Sequence, residues 1–323
     1  MSLLSIVIPA YNEADNISLA TSRIKEILND AEIPCEIVIV DDGSTDATWE
    51  VIEGVANLNE NVTGLRLSRN FGKESAILAG LSNAMGSCAA VIDCDLQHPP
   101  NTLIKMYEVW KQGDIDIVEG VKQSRGKESA IYRNFSSLFY SLIERLGGIS
   151  IRNSSDFQLL DRRIIDVIIR LPERQRFFRA LTAWVGFNKV QIPFVVEPRQ
   201  SGTSKFNFYS SLKYAIANLT SFSSAPLQII TITGFIFFVI SIVLGANVLH
   251  SWIVNRAVEG FTTVILLLLI IGAMLMFSLG VIGIYLSKIY EEIKSRPSYL
   301  ISEVIKNGEL AQRKDVQWDF QGK

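Results

Sequence analysis

Two apolar runs in the C-terminal third limit what this chain can fold into. Residues 226–249 and 262–287 carry no charged side chain, and each has about the helical length of one bilayer. A pair of buried core helices would also be apolar, but two adjacent runs that both exceed the spanning length favour a membrane hairpin. The connecting residues are few and include His250, Trp252, Arg256 and Glu259. Lys205 and Lys213 precede the first run, and Lys288, Lys294 and Arg296 follow the second. By the positive-inside rule, both chain ends and everything before the hairpin are expected on the cytoplasmic face of the cell (plasma) membrane. Neither run has an ionisable residue to line a pathway, which argues against a transporter.

Composition agrees with a mixed chain. Hydrophobic residues make up 48 % of the 323 residues, and the mean hydropathy of +0.25 is high for a wholly soluble protein. A net charge of −2 offers no basic field for nucleic acid. Cys35, Cys88 and Cys94 show neither zinc spacing nor an even disulfide set, which suits a reduced, cytosolic setting. The N-terminus lacks a basic leader and a cleavage site and reads as a first strand.

The first two hundred residues alternate short apolar runs with helical periodicity. Strands are expected at 4–8 (closed by Pro9), 37–40, 62–67, 89–92, 115–119 and 189–196. Helices are expected at 16–28, around Trp49, Val51 and Ile52, and at 76–85, 102–110, 135–146 and 173–186. Such alternation predicts an α/β fold, a mostly parallel sheet with helices on both faces. The expected organisation is a catalytic domain at 1–205, an amphipathic interfacial helix at 206–225, the hairpin at 226–287 and a cytosolic tail at 288–323. The interfacial helix rests on Phe208, Leu212, Ala215, Leu219 and Phe222 recurring at helical spacing.

Chemistry concentrates where apolar runs end. Ile92 leads into Asp93-Cys94-Asp95-Leu96-Gln97-His98, then Pro99-Pro100. Carboxylates at i and i+2 on a strand end point to one side and can share a hard cation such as Mg²⁺ or Mn²⁺. A second pair, Asp114 and Asp116, precedes its apolar run and reads as strand entry. Ligands bind at the carboxyl ends of strands in open α/β sheets, so position separates the two pairs. A Gly-x-Gly-x-x-Gly dinucleotide fingerprint is absent after the first strand. Gly72-Lys73 lacks the upstream glycine of a phosphate-binding P-loop. Lys122, Arg125, Lys127 and Arg133 form a basic stretch, read either as a solvated loop or as a lid carrying cations for a phosphate.

Taken in order, six segments carry a family resemblance. They are Val7-Ile8-Pro9-Ala10-Tyr11-Asn12-Glu13, Val40-Asp41-Asp42-Gly43-Ser44, Arg69-Asn70-Phe71-Gly72-Lys73, Asp93-Cys94-Asp95-Leu96-Gln97-His98-Pro99, Asp156-Phe157-Gln158-Leu159-Leu160-Asp161-Arg162 and Arg199-Gln200-Ser201-Gly202-Thr203-Ser204-Lys205. With the two apolar runs, the set resembles the inverting family 2 glycosyltransferases of GT-A fold. Within them it is most similar to the polyprenyl-phosphate hexosyltransferases, the group of dolichol-phosphate mannose synthase and bactoprenol glucosyltransferase. Cys94 stands where that family often has alanine, and Phe157 where some relatives place a glycine nearby.

The resemblance implies roles for particular residues. Pro9, Tyr11, Glu13, Asp41 and Asp42 would hold the nucleoside of a nucleotide sugar, with Asp93 beside the ribose and diphosphate. Asp95 and Gln97, together with Asp93, would ligate Mg²⁺ or Mn²⁺. Arg125, Arg199 and Lys205 would grip the acceptor phosphate, and Asp156 would be the catalytic-site acid, as base or as orienter of an arginine. The implied reaction moves a hexose, first of all glucose from UDP-glucose, to polyprenyl (undecaprenyl) phosphate, giving a lipid-linked sugar for cell-surface glycans. A homo-oligomer is expected by the same resemblance. Two rivals stand beside this reading. A polysaccharide synthase would need a Gln-x-x-Arg-Trp motif, which Gln175-Arg176-Phe177 does not supply, and more spans. A non-catalytic membrane-anchored subunit that binds nucleotide sugars would be expected to show a damaged metal site or lost phosphate cations.

Overall fold

The computed structural model describes residues 2–123, 155–174, 176–196, 225–254, 260–306 and 309–311. The basic stretch after Gln123, the expected helix at 135–146, the Arg199–Lys205 loop and nearly all of the expected interfacial helix lie outside the described residues.

The chain begins β1 (Leu4–Ala10), α1 (Ala14–Asp30), β2 (Cys35–Asp41), α2 (Thr48–Asn57), β3 (Val62–Leu67), α3 (Lys73–Asn83), β4 (Cys88–Val91), α4 (Asn101–Lys111) and β5 (Ile117–Lys122). It continues β6 (Gln158–Asp161), α5 (Arg162–Arg170), α6 (Phe178–Trp184) and β7 (Lys189–Phe194). Two long helices follow, α7 (Ala225–Ile253) and α8 (Phe261–Ile293), then β8 (Ile301–Lys306) and β9 (Glu309–Ala311). The described elements fall into two units, with α7 and α8 in one and all the others in the second.

Among the described residues one sheet runs β7-β5-β6-β4-β1-β2-β3-β8-β9. β1, β2, β3 and β4 are mutually parallel, β5 pairs parallel with β7, and β6 and β8 run against their neighbours. All seven residues of β1 and all four of β4 are buried, as parallel strands covered on both faces must be. Side-chain alternation divides them between two layers. Ile6, Ile8, Ile37 and Ile39 pack with Ile17, Ile24 and Leu28 of α1, whereas Val7, Ala89 and Val91 pack with Ile77 and Leu81 of α3.

The chain steps from β1 to β2 to β3, then crosses back to lay β4 on the other side of β1. Strand order therefore reverses at β1, and such a reversal opens a crevice at the carboxyl ends of the strands. The register brings Ala10 opposite Asp41 and Val7 opposite Val91, so these ends share one edge.

Several boundaries differ from expectation. Pro9 does not close β1. Val7 accepts from Ile92 on the β4 side and Ala10 from Asp42 on the β2 side. Pro9 thus faces the β4 side beyond the last β4 pairing, where its missing N–H removes no ladder bond. α3 begins at Lys73 rather than near residue 76. β5 begins at Ile117, which leaves Asp116 buried beneath Arg163 Nη2 at 2.7 Å as strand entry. Of the helix expected over 173–186, only Phe178–Trp184 is helical.

The largest difference concerns the segment after the hairpin, expected as a tail. Ile301–Lys306 adds to the sheet antiparallel to β3. Ile305 is buried at 2 % exposure. It closes over Gly64, where an added Cβ would lie 2.7 Å from the Ile305 and Ile52 methyl carbons. Arg66 of β3 meets Glu303 of β8 at 3.0 Å. Ile305→Ala is accordingly expected to lower the unfolding free energy by about 2–4 kcal/mol, read by denaturant melts of the full chain, because it empties a closed core position.

α7 and α8 are long and apolar enough to cross a membrane over Pro226–Asn247 and Leu267–Ile293. Ile229, Ile232, Phe235 and Phe238 in α7 and Leu268, Leu269, Met276 and Phe277 in α8 are exposed. A helix apolar on all sides and not buried in protein is suited to lipid.

Candidate active site

The site is assembled from loops at the carboxyl ends of β1, β2, β3 and β4, joined by the start of β6. The first two loops are stitched together. Asn12, in the left-handed region at φ 54, donates its backbone N–H to Ser44 Oγ at 2.9 Å and accepts from Thr45 N at 2.9 Å. Glu13 N donates to Thr48 Oγ1 at 2.8 Å. Asp41 Oδ1 accepts from Ser44 N at 2.9 Å, which turns the chain just after β2. Asp42 reaches the next loop and accepts from Phe71 N at 2.7 Å and Gly72 N at 2.9 Å. Gly43 sits between them at φ +66, and a Cβ there would lie 2.4 Å from the Arg69 carbonyl carbon. Only glycine allows both the backbone conformation and this approach.

These contacts place the expected nucleoside residues together. Pro9, Asp41 and Asp42 are buried, Tyr11 is exposed, and Glu13 lies between these extremes. Burial pushes the Asp42 carboxyl up to about 6 against the pull of its two N–H donors. Burial also raises Asp41, opposed by Ser44 and by Arg66, whose Nε is 3.6 Å from Asp41 Oδ2. Asp41 Oδ2 is buried and accepts no hydrogen bond from the described residues, so it has capacity for a ligand N–H or O–H.

Asp93 and Asp95 lie in the turn after β4 rather than on the strand itself, which ends at Val91. The in–out alternation nevertheless continues through the turn. Ile92, Cys94, Leu96 and His98 are buried, while Asp93, Asp95 and Gln97 are partly exposed. Gln97 N donates to Asp95 Oδ1 at 3.1 Å and Leu96 takes φ 55, so the chain turns tightly just after the second carboxylate. Cys94 packs in the core, and His98 stacks on Phe157 with ring centroids 5.0 Å apart. These apolar anchors hold the acidic side of the turn toward solvent.

Asp156, just before β6, is buried and carries two cations. Arg179 of α6 binds it through Nε at 2.6 Å and Nη2 at 2.9 Å. Lys73 Nζ lies 2.9 Å from Asp156 Oδ2 and 2.6 Å from Asp93 Oδ1. Burial alone would raise the Asp156 carboxyl, but Lys73 and Arg179 hold it well below the usual carboxylate range. Glu74 is pushed up to about 7, first by burial and then by the Asp156 charge, although Phe178 N donates to it at 2.8 Å. Asp156 is thus paired with two cations that favour its charged form, and Glu74 beside it is raised.

Of the sequence-derived site residues, Pro9 and Asp41 lie at the carboxyl ends of β1 and β2, and Tyr11, Glu13, Asp42, Asp93, Asp95, Gln97 and Asp156 lie in segments outside the strands. Arg125, Arg199 and Lys205 lie outside the described residues. Three residues had no role assigned from sequence: Lys73, Glu74 and Arg179. Lys73 was visible only as the last residue of Arg69-Asn70-Phe71-Gly72-Lys73. Arg179 sits in an apolar helix with no local signal, 23 residues from the carboxylate it binds.

A mostly parallel sheet with acidic loops at its switch point and an Asp-x-Asp turn after β4 is the arrangement that the resemblance to GT-A glycosyltransferases implies. The model for Glycosyl transferase family 2 matches residues 5–177, and the chain belongs to that family. An uncharacterised glycosyltransferase of Synechocystis is 38 % identical over 303 residues, covering 93 % of this chain and 95 % of the relative. The SfII prophage-derived bactoprenol glucosyl transferase of Shigella flexneri is 33 % identical, covering 93 % and 97 %. Among solved structures, glucosyl-3-phosphoglycerate synthase from Mycobacterium tuberculosis, with Mn²⁺, UDP and phosphoglyceric acid, aligns with a TM-score of 0.50 at 18 % identity. That alignment covers 68 % of this chain and 78 % of the other, and it supports the fold.

Proposed function

We propose that this glycosyltransferase moves a hexose, with glucose from UDP-glucose as first choice, onto polyprenyl (undecaprenyl) phosphate at the cytoplasmic face of the plasma membrane. The observation that carries the reading is the combination, in one chain, of an acidic crevice that gathers Asp41, Asp42, Asp93 and Asp156 with two apolar helices of membrane length. The similarity to bactoprenol glucosyl transferases supports the lipid-phosphate acceptor. The synthase bound to Mn²⁺ and UDP is consistent with a metal-assisted donor site.

The loops after β1 and β2 would bind the nucleoside, with Asp41 Oδ2 free to accept from it. Asp95 and Gln97, with Asp93, would hold Mg²⁺ or Mn²⁺. The donor set is one of hard oxygens, which suits Mg²⁺ or Mn²⁺ with coordination completed by substrate phosphates and water; among the described residues no three His, Cys, Asp or Glu side chains form a cage by themselves. When bound, the cation would offset charge building on the leaving diphosphate. An acceptor phosphate is already ionised near neutral pH. Its oxygen can attack the anomeric carbon directly as the bond to the diphosphate breaks, with inversion and release of UDP. Asp156 would then position Arg179 and need not take a proton. Arg125, Arg199 and Lys205 are the proposed holders of the acceptor phosphate.

The strand after the hairpin supports the proposed topology. β8 pairs with β3 in the catalytic sheet, so the chain before and after the helices must lie on one side of any bilayer they cross. Two spans satisfy that condition, and the flanking lysines favour the cytoplasm as that side. Homo-oligomerisation is part of the same proposal, because two spans offer little enclosure for a lipid acceptor.

The test is transfer of label from UDP-glucose to undecaprenyl phosphate by the full chain in membranes or detergent with Mg²⁺ or Mn²⁺. Lipid-linked label is the expected result. Tight metal-dependent UDP binding without transfer from any nucleotide sugar would replace this reading with the non-catalytic binding subunit. A pH dependence is also expected. Protonating Asp42 exchanges one of its acceptor oxygens for an O–H and loosens the Phe71–Gly72 loop. The donor KM is therefore expected to rise as pH falls through about 6, and Asp42→Asn is expected to remove that dependence. The folding term has the opposite sign. A carboxyl raised in the folded state contributes stability at low pH, and that contribution is lost as pH rises toward about 6.

A further inference from the structure

Lys73 is the first residue of α3, and its position is set from the far side of the site. Asp42 accepts from the backbone N–H groups of the two residues before it, Phe71 and Gly72, at 2.7 and 2.9 Å. The helix start is thereby tied to the end of β2. From there Lys73 Nζ lies 2.6 and 2.9 Å from the two oxygens of Asp93 and 2.9 Å from Asp156 Oδ2. Asp156 continues the chain of charges to Arg179 through two hydrogen bonds of 2.6 and 2.9 Å. The result is a continuous series from Asp93 to Lys73 to Asp156 to Arg179. It links the turn proposed to receive a cation with the arginine on α6.

An ammonium on both Asp93 oxygens takes the electron pairs and the field that a divalent ion would use. Two cations on one carboxylate repel each other, so occupancy by one weakens the other. The Lys73 side chain is 41 % exposed, and its flexible stem can turn. Asp156, which is outside the proposed ligand set, offers it a second anion 2.9 Å from Nζ.

We propose that Lys73 is an exchangeable counter-cation and a positioning residue. It occupies Asp93 in the empty site, gives Asp93 up when a divalent cation with the donor diphosphate arrives, and remains on Asp156. Loading of the donor is thereby coupled to the placement of Arg179. The proposal rests on the reading that Asp93 and Asp95 hold a divalent cation. It assigns no covalent step to Lys73.

The experiment measures Mn²⁺ affinity by electron paramagnetic resonance on the full-length protein in lipid nanodiscs without nucleotide, alongside steady-state transfer. Lys73→Gln removes the competitor. It is expected to bind Mn²⁺ about five- to tenfold more tightly than the wild type while kcat falls at least tenfold, because Asp156, which holds Arg179, loses the lysine that stays on it in the loaded state. Lys73→Arg keeps the charge and grips a carboxylate with a fork. It is expected to bind Mn²⁺ at least threefold more weakly than the wild type and to retain more kcat than Lys73→Gln. Opposite shifts in the two variants support the proposal. Unchanged or weaker Mn²⁺ binding in folded Lys73→Gln overturns it. Should Lys73→Gln fail to fold, unchanged Mn²⁺ affinity in Lys73→Arg overturns it alone. Asp95→Ala separates this failure from that of the underlying reading. Loss of Mn²⁺ in Asp95→Ala with no effect of Lys73 overturns the counter-cation and keeps the metal site. Mn²⁺ binding that survives Asp95→Ala, or is absent from the wild type, overturns both.

Discussion

Asp156→Asn is expected to reduce the rate of sugar transfer by about a hundred- to a thousandfold, measured under single-turnover conditions with saturating donor. The side chain is 9 % exposed and binds two cations at once. Breaking a buried ion pair by removing one partner costs about 3–5 kcal/mol in favourable cases, and each 1.36 kcal/mol placed on a barrier is about tenfold in rate. Arg179 is partly exposed, so some of that cost is screened, and the lower half of the range applies. Asn keeps the shape and one acceptor but loses the charge that fixes both Lys73 and the Arg179 fork. The donor KM should change far less than kcat, because the loops proposed to bind the nucleoside are held by Asp41 and Asp42. A loss of binding with kcat intact would contradict the orienting role. The sign of the stability effect also follows. A carboxyl held well below its ordinary range stabilises the fold above the unfolded-state pKa, and that contribution is lost as pH falls through its lowered folded pKa. Asp156→Asn should therefore lower the melting temperature at neutral pH and narrow its gap to the wild type in strong acid.

The second large effect is expected from the turn after β4. Chelation of divalent ions, or Asp95→Ala, is expected to reduce transfer by about a thousandfold, since charge neutralisation at a leaving group supplies several kcal/mol. The two treatments differ in reversibility. Added Mn²⁺ should restore the chelated wild type and should not restore Asp95→Ala. Partial exposure of the Asp95 side chain makes a general loss of fold an unlikely source of the difference, and unchanged thermal melting of Asp95→Ala would establish this. Full activity in the presence of chelator would remove the metal from the mechanism.

Much of the fold was legible in the chain because its signals are local. Leu4 to Ile8, Ile37 to Val40 and Ala89 to Ile92 are short apolar runs with turn formers at their carboxyl ends, and each became a buried parallel strand. The two uncharged runs became single helices because nothing in them interrupts helical hydrogen bonding. The position of Asp93 and Asp95 after an apolar run distinguished them from Asp114 and Asp116 before one, and Asp116 is indeed tied up by Arg163. Boundaries were less legible. The end of β1 depends on which side Pro9 faces, and the start of α3 depends on Asp42 accepting from Phe71 and Gly72.

Other features depend on contacts between distant parts of the chain. Ile301–Lys306 resembles any short amphipathic segment after a membrane hairpin. Its membership of the sheet comes from the open edge of β3, the missing side chain at Gly64 and the Arg66–Glu303 pair, 237 residues apart in sequence. Lys73, Glu74 and Arg179 resemble ordinary helix-surface charges until β6 brings Asp156 between them. The sequence by itself determined the kind of chain this is: an α/β domain joined to two membrane-length helices, because hydrophobic period and run length are properties of neighbours in the chain, while the glycosyltransferase reading came from the resemblance its six segments carry. Only the tertiary structure decided that Asp156 is paired with two cations rather than a free acid, and that the segment beyond the two long apolar helices adds to the sheet. Charge pairing and edge pairing are set by distance in space, which no local pattern encodes.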